Sequence, residues 1–380
     1  MYPTLSDLTK DIFGFSIPLP IKMFGLFVAI AFLVAMLLLK KELKRRESEG
    51  WLQPCRELTW VGKQISSWEI FFTGLITLLM GLALIVFARN RFSFDGDPYD
   101  GIVLMDLAFA LILAVLVAFI RYYFKSLKAA GKPELKVISH WPHERTDTII
   151  GIAAVAGIVG AKLFDGLENW SSYIAHPADF FAFSGLTFYG GLIVASMAIL
   201  YYAHQKHIDK WQLADSAAPV LMLAYGIGRI GCHMAGDGDW GIVNSFQKPV
   251  KWLPDWLWSY TYPHNVSDQG VLIPGCTGEH CFQLPIGVFP TSLYEFVVCT
   301  LLFLVLWKLR KIITSPGRLF GIYLIMNGAE RFLIELIRVN NKYDLGFVKP
   351  TQAELISMGL FLTGCLIVYV SSRKTKYNPE

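Results

Sequence analysis

Apolar stretches about as long as a bilayer is thick recur along this chain. A helix needs about 20 mostly apolar residues to cross the hydrocarbon core. Nine such stretches lie at 22–39, 68–88, 102–120, 148–165, 187–203, 213–234, 290–307, 318–337 and 352–371. Hydrophobic residues make up 54% of the chain and charged residues 17%, which excludes an ordinary soluble protein. Because the stretches lack the alternation of a membrane β-barrel, the sequence predicts an all-α, polytopic transmembrane bundle of about nine helices.

The connections between the predicted helices differ in charge. The set formed by 40–67, 121–145, 204–212, 308–317 and the tail after 371 contains 21 Lys and Arg, whereas the alternating set contains eight. Lys and Arg accumulate in cytoplasmic loops of membrane proteins. We therefore expect the amino terminus outside and the carboxyl terminus inside.

A single membrane domain is predicted over 1–380, with one sizeable outer loop at 235–289. This loop is rich in Trp and Tyr, which is typical of the membrane–water interface. It also contains Cys276 and Cys281, and two cysteines in an oxidising compartment most simply form a disulfide. A metal site using His280 would be short of ligands. No metal and no cofactor is expected.

Charges inside the apolar stretches indicate where function lies. Apart from Arg318, which begins its stretch on the cytoplasmic side, the cations there are Lys22, Lys162, Arg229 and Arg331, and the predicted orientation collects these four near the outer leaflet. Intramembrane charge is costly and marks functional sites, although an interfacial anchor or an ion pair such as Arg331 with Glu335 is the alternative. A phosphate reached from the outer leaflet is the natural counter-ion. The sequence thus predicts a site for an anionic lipid headgroup.

Five segments resemble one known family in the same order. They are Pro20–Leu26, Gly160–Phe164, Leu186–Leu192, the run from Gly228 to Gly241, and Pro290–Glu295 together with Gly328–Arg338. The run Gly228-Arg229-Ile230-Gly231, followed by an acid and Trp240-Gly241, is similar to the signature G-R-x-G-N-x-x-N-x-E of bacterial prolipoprotein diacylglyceryl transferases. The segment 45–145 lies outside the resemblance. We interpret it as an inserted segment with two extra transmembrane helices beside the family's usual seven.

The resemblance implies a reaction. The diacylglyceryl group of phosphatidylglycerol would pass to the lipobox cysteine thiol of a prolipoprotein, releasing glycerol 1-phosphate. The implied partners are phosphatidylglycerol, prolipoprotein lipobox peptides and membrane lipids, with no nucleic acid and no cofactor. The implied location is the bacterial inner membrane, with the active site facing the outer leaflet and periplasm.

Two sets of residues carry this hypothesis. The catalytic set is Tyr189, Arg229, Arg331, Asp237 and Asp239. The substrate-binding set is Lys162, Gly190, Gly191, Gly228, Gly231, Cys232, His233, Gly241, Tyr294, Glu295 and Glu335. Two arginines suit a departing phosphate because a guanidinium forks two hydrogen bonds and keeps its charge. We expect Glu295 and Glu335 to hold these arginines in place by ion pairs, with direct proton transfer as the alternative. The general base stays open, since Tyr189 stands where most relatives have histidine, and His233, Asp237 and Asp239 are alternatives.

Departures from the signature keep other functions open. Cys232 and Ala235 replace its two asparagines, one extra residue precedes Trp240, and Lys162 replaces the usual arginine. Losing two amides removes several hydrogen-bonding groups from the pocket. The alternatives are a divergent paralogue that transfers a lipid group to another acceptor, a non-catalytic membrane scaffold and a transporter of an anionic solute.

Overall fold

The chain divides into two compact units, one formed by residues 1–55 and 141–380 and the other by 56–140. The computed structural model describes residues 1–15, 21–61, 72–77, 81, 117, 120, 134–175, 187–340, 343–344 and 349–376.

Helices dominate the larger unit. They are α1 (Leu5–Phe13), α2 (Met23–Ser48), α3 (Thr146–Glu168), α4 (Trp170–Ala175), α5 (Phe188–Gln205), α6 (Lys210–Ala235), α7 (Asp255–Trp258), α8 (Thr291–Leu309), α9 (Arg318–Glu335) and α10 (Gln352–Lys376). Seven of the predicted stretches coincide with long helices of this unit. The other two, at 68–88 and 102–120, lie mostly outside the described residues. The number nine, the orientation and the insertion at 45–145 therefore stay predictions.

Four of the described helical segments are long and apolar enough to cross a membrane. They are Met23–Ser48, Pro142–Glu168, Thr291–Leu309 and Gln352–Arg373. The first three correspond to α2, to α3 with the short 3-10 turn Pro142–Arg145 before it, and to α8. The chain is thus a mostly helical protein built to reside in a membrane.

Small residues let the helices approach one another closely. The contacts pair α3 with α5, α2 with α6, α6 with α8, and α9 with α10. A Cβ at Gly190 would lie 2.6 Å from the backbone oxygen of Gly160, and one at Gly364 would lie 2.6 Å from that of Gly321. Close backbone approach at small residues is a common mode of helix association in membranes.

A buried ion cluster ties α2, α6 and α8 together at one end. Glu42, with no exposed side-chain surface, pairs with Arg45 at 2.6 Å, with Arg46 at 3.0 Å and with Arg310. Beside it, Asp215 of α6 accepts the backbone N–H groups of Gly317 and Phe320 at 2.8 Å each. Asp215 thus satisfies donors at the start of α9, where free N–H groups need partners. These contacts fix the position of α9 relative to α6.

The prediction of an all-α chain needs one correction, because the described part of the chain contains two small sheets. Strands β1 (Cys55–Val61) and β2 (Glu134–His140) pair with each other. Strands β3 (Val271–Leu272) and β4 (Phe282–Gln283) pair antiparallel in the 235–289 loop, with Val271 opposite Gln283. A disulfide joins Cys276 and Cys281 between β3 and β4, as the sequence predicts.

Candidate active site

Three helix ends come together at the end of the bundle opposite Glu42. Helix α6 contacts both α8 and α9. It ends at Ala235, and the next residue, Gly236, adopts a left-handed conformation with φ 65°. The N–H of Gly236 donates to the backbone oxygen of Cys232 at 2.9 Å. Helix α8 begins near this point and α9 ends near it, so Arg229, Glu295 and Arg331 belong to one region.

Glu295 lies at the centre of this region and has no exposed side-chain surface. Its carboxylate lies 2.5 Å from Nε of Arg229 on α6 and 3.1 Å from Nη1 of Arg331 on α9. Arg331 also pairs with Glu335 at 3.1 Å, one turn further along α9. The structure thus brings the two predicted arginines together around one carboxylate, and the expected ion pair with Glu335 is present.

Asp239 extends the cluster towards solvent. One of its carboxylate oxygens pairs with Arg229 and the other with Arg338. Its side chain is 30% exposed, whereas those of Glu295 and Glu335 are completely buried. Arg338 also lies 3.3 Å from Glu295. Asp239 is therefore the accessible member of a network with three guanidinium groups and three carboxylates, which we call the arginine cluster (Arg229, Arg331, Arg338, Asp239, Glu295 and Glu335).

Backbone contacts hold the loop that carries Asp239. Gly241 pairs with Arg338 in a short antiparallel bridge, and the N–H of Ile242 donates to Ile337 at 2.8 Å. A Cβ at Gly241 would lie 2.7 Å from the backbone oxygen of Ile337, so a larger residue would push these segments apart. Gly241 therefore positions Asp239 against Arg338.

Two contributors to the site, Arg338 and Tyr225, were not predicted as site residues. Arg338 lies beyond the apolar stretch, but it follows Arg331 by seven residues and Glu335 by three, which places all three near one face of a helix. Tyr225 precedes Arg229 by one turn. Its hydroxyl accepts a hydrogen bond from Arg229 at 3.2 Å, and its ring centre lies 5.0 Å from the guanidinium carbon.

The two loop aspartates differ in proton affinity. Burial raises the pKa of Asp237, and the charge of Asp239 raises it further. For Asp239 burial acts in the same direction, but the guanidinium groups of Arg229 and Arg338 outweigh it and lower its pKa. At neutral pH Asp239 is therefore an anion and a weak base while it remains paired.

Cys232 and His233 border this loop. The thiol of Cys232 is buried and lies 4.0 Å from a nitrogen of Arg229. Ligand atoms of Cys232, Asp237 and Asp239 lie within 4.8 Å of one another, an arrangement that offers three donors to a metal ion. Since Asp239 already contacts two guanidinium groups, their positive charge opposes a cation there. His233 follows Arg229 by one helical turn, and its Nδ1 lies 3.2 Å from the hydroxyl of Tyr262.

The predicted glycines occupy different surroundings. Gly228 has open space in front of its Cα, whereas a Cβ at Gly231 would lie 3.1 Å from Phe27 of α2. Gly190 and Gly191 are buried against α3, where a Cβ at Gly191 would lie 2.8 Å from the Gly157 oxygen. Of these four, Gly228 leaves room for a ligand, while the other three make close helix contacts.

The remaining predicted residues contact other parts of the fold. Lys162 lies 3.1 Å from the hydroxyl of Tyr173 and 3.7 Å from Asp165. The hydroxyl of Tyr294 donates to the backbone oxygen of Leu257 at 2.8 Å. Tyr189 is partly exposed at the start of α5, and its ring packs edge-on against Phe188.

Comparison with known proteins gives one consistent result. A family model described as prolipoprotein diacylglyceryl transferase matches residues 102–370, a range that contains the whole arginine cluster. The chain is also similar to curated proteins named phosphatidylglycerol–prolipoprotein diacylglyceryl transferase. That of Limosilactobacillus reuteri is 25% identical over 294 residues, which cover 76% of this chain and 93% of the relative. That of Enterococcus faecalis is 31% identical over 232 residues, covering 59% and 76%, respectively.

Proposed function

Because the chain belongs to the prolipoprotein diacylglyceryl transferase family, we propose that it transfers the diacylglyceryl group of phosphatidylglycerol to the lipobox cysteine of prolipoproteins. Glycerol 1-phosphate is the second product. The relatives' names support this substrate pair. The observation that carries the proposal is the convergence of Arg229 and Arg331, from two different helices, on Glu295.

The chemistry of the transfer needs positive charge at the site. The cysteine sulfur attacks a glycerol carbon, the carbon–oxygen bond to the phosphate breaks, and the bonding electrons leave with the phosphate oxygen. Preorganised donors that face a developing negative charge are often the largest contribution to catalysis. In the proposal, Arg229 and Arg331 hold the phosphate, while Glu295 and Glu335 hold the two guanidinium groups in place.

The other predicted residues bind the headgroup, allow close helix packing or line the region in this proposal. Gly228 leaves open space in front of its Cα, so the backbone there allows a headgroup to approach. Lys162 and Tyr189 bind the lipid headgroup from α3 and α5, outside the arginine cluster, and Tyr189 is the alternative proton acceptor. Gly190, Gly191 and Gly231 act by allowing close helix packing. Cys232 and Tyr294 line the region without taking part in bond making.

The active site faces the outer leaflet of the bacterial inner membrane in this proposal. The charge difference between the two sets of loops supports the orientation. The Cys276–Cys281 disulfide supports it independently, because the loop at 235–289 would then lie in an oxidising compartment.

A transfer assay tests the proposed function. Purified protein is incubated with phosphatidylglycerol labelled in its acyl chains and with a peptide that contains a lipobox cysteine. Label should move to the peptide, and neither R229A nor R331A should support this transfer. A peptide with serine in place of that cysteine is the substrate control, and D255N, at a 90% exposed carboxylate, is the matched protein control. Lipid that binds but stays intact would instead favour a scaffold.

A further inference from the structure

The arginine cluster has no excess positive charge without a lipid, and the neighbouring carboxyl groups of Asp237 and Glu330 add none. It contains three guanidinium groups and three carboxylates, and each guanidinium contacts at least two of these carboxylates. A phosphodiester anion that entered this cluster would leave one uncompensated negative charge. In a site largely shielded from water such a charge is costly, so one carboxylate has to leave when a phosphate arrives.

Asp239 is the carboxylate that is able to leave. Glu295 and Glu335 have no exposed side-chain surface, while Asp239 is 30% exposed and belongs to a loop rather than a helix. Gly236 and Gly238 precede it with φ angles of 65° and 98°. A Cβ at Gly238 would meet only the Ser267 hydroxyl oxygen, at 3.4 Å. Because Thr291 donates to the backbone oxygen of Asp239 at 3.1 Å and so holds the backbone there, Asp239 leaves by rotation of its side chain.

The shape of the contact also matches a phosphate. Asp239 presents one oxygen to Arg229 and the other to Arg338, as the two unesterified oxygens of a phosphodiester would. Guanidinium groups bind carboxylate and phosphate in the same forked geometry. The Asp239 carboxylate therefore occupies a position suited to the lipid phosphate.

We infer that the lipid phosphate, while held by Arg229 and Arg331, also takes the place of Asp239 on Arg229 and Arg338, and that the released carboxylate accepts the proton of the incoming thiol. The S–H bond breaks and its proton passes to Asp239. The sulfur bonds to the glycerol carbon, the carbon–oxygen bond breaks, and the phosphate oxygen takes the electron pair while the arginines hold it. This inference rests on the proposed function and assigns its base.

Displacement also explains how a carboxylate becomes a useful base. In its present contacts the two guanidinium groups lower the pKa of Asp239. Once the phosphate replaces it, these contacts are lost and the carboxylate binds a proton more tightly. The base is then strengthened only when lipid is bound, which couples lipid binding to activation of the thiol.

Two variants separate displacement from a merely structural role. D239N keeps the size of the side chain but removes its charge, so the dissociation constant for short-chain phosphatidylglycerol, measured without peptide, should fall about tenfold or more. In the transfer assay its kcat should fall at least about a hundredfold, the usual contribution of a general base. D239E keeps the charge but lengthens the side chain by one methylene group, so the carboxylate fits less well between Arg229 and Arg338. Lipid should therefore bind more tightly than to the parent, while kcat stays within about tenfold of the parent value.

The control is D255N, which removes a carboxylate from the exposed Lys248–Asp255 pair of the same loop and should change neither quantity. If D239N and D239E bind phosphatidylglycerol no more tightly than the parent, the displacement is overturned. If D239N keeps its kcat, the proton-accepting role is overturned. A parent protein that transfers no lipid contradicts the proposed function instead, and the binding comparison still decides whether Asp239 competes with phosphate.

Discussion

Replacing Glu295 with glutamine removes a carboxylate that contacts three guanidinium groups at 2.5, 3.1 and 3.3 Å. At an effective dielectric constant of about 20, each contact has a gross Coulomb energy of about 5–7 kcal/mol. The cost of burying Glu295 offsets most of that, and breaking a buried pair costs about 3–5 kcal/mol net. Because Asp239 and Glu335 still contact the arginines, we expect E295Q to lower the free energy of unfolding by about 3 kcal/mol.

Denaturant titration in mixed micelles, followed by circular dichroism, measures this difference. The double variant E295Q/R331Q restores equal numbers of cations and carboxylates, so it should lose less stability than the two single variants together. D255N, at an exposed pair, should stay within about 1 kcal/mol of the parent. An E295Q protein within about 0.5 kcal/mol of the parent, with additive effects in the double variant, would refute the reasoning.

Three further predictions concern stability. E42Q should lower the free energy of unfolding by about 3–5 kcal/mol in the same titration, because Arg46 and Arg310 would lose a buried partner. A reductant should destabilise the parent by about 2 kcal/mol but leave a C276S/C281S variant unchanged, because the disulfide closes a short loop with a sequence separation of 5. In the folded protein, arginines lower the pKa of Asp239. The ionised Asp239 carboxylate therefore stabilises the fold fully above pH about 4, and this stabilisation is lost as the pH falls through the folded-state pKa. D239N should therefore show a smaller loss of stability in acid.

The long helices were predictable because a bilayer imposes a length on apolar segments. Stretches such as 148–165 and 290–307 match α3 and α8 within a few residues. The ends were harder to predict: α2 continues through charged residues to Ser48 because Glu42 pairs with arginines of its own helix and with Arg310, which directly follows α8. The strands β1 and β2 were missed, since they are separated by many residues and are too short to give a clear periodicity.

Part of the candidate site was also predictable. Arg229 and Arg331 stand out because charge in an apolar stretch is rare, and Glu335 lies one turn from Arg331. The expected ion pairing of Glu295 with the arginines is confirmed. That one carboxylate contacts both of them depends on how α8 is placed between α6 and α9, which spacing along one chain does not reveal. Arg338 was left out for a similar reason: its partner Asp239 is 99 residues away in the sequence.

Binding of phosphatidylglycerol to R229Q, R331Q and R229Q/R331Q tests the central claim most directly. If the two guanidinium groups hold the same phosphate, each single variant should raise the dissociation constant about tenfold or more. The double variant should then bind little more weakly than either single variant, because the remaining arginine no longer has a correctly placed phosphate. Independent effects that multiply in the double variant, or single variants that bind as tightly as the parent, would contradict the account.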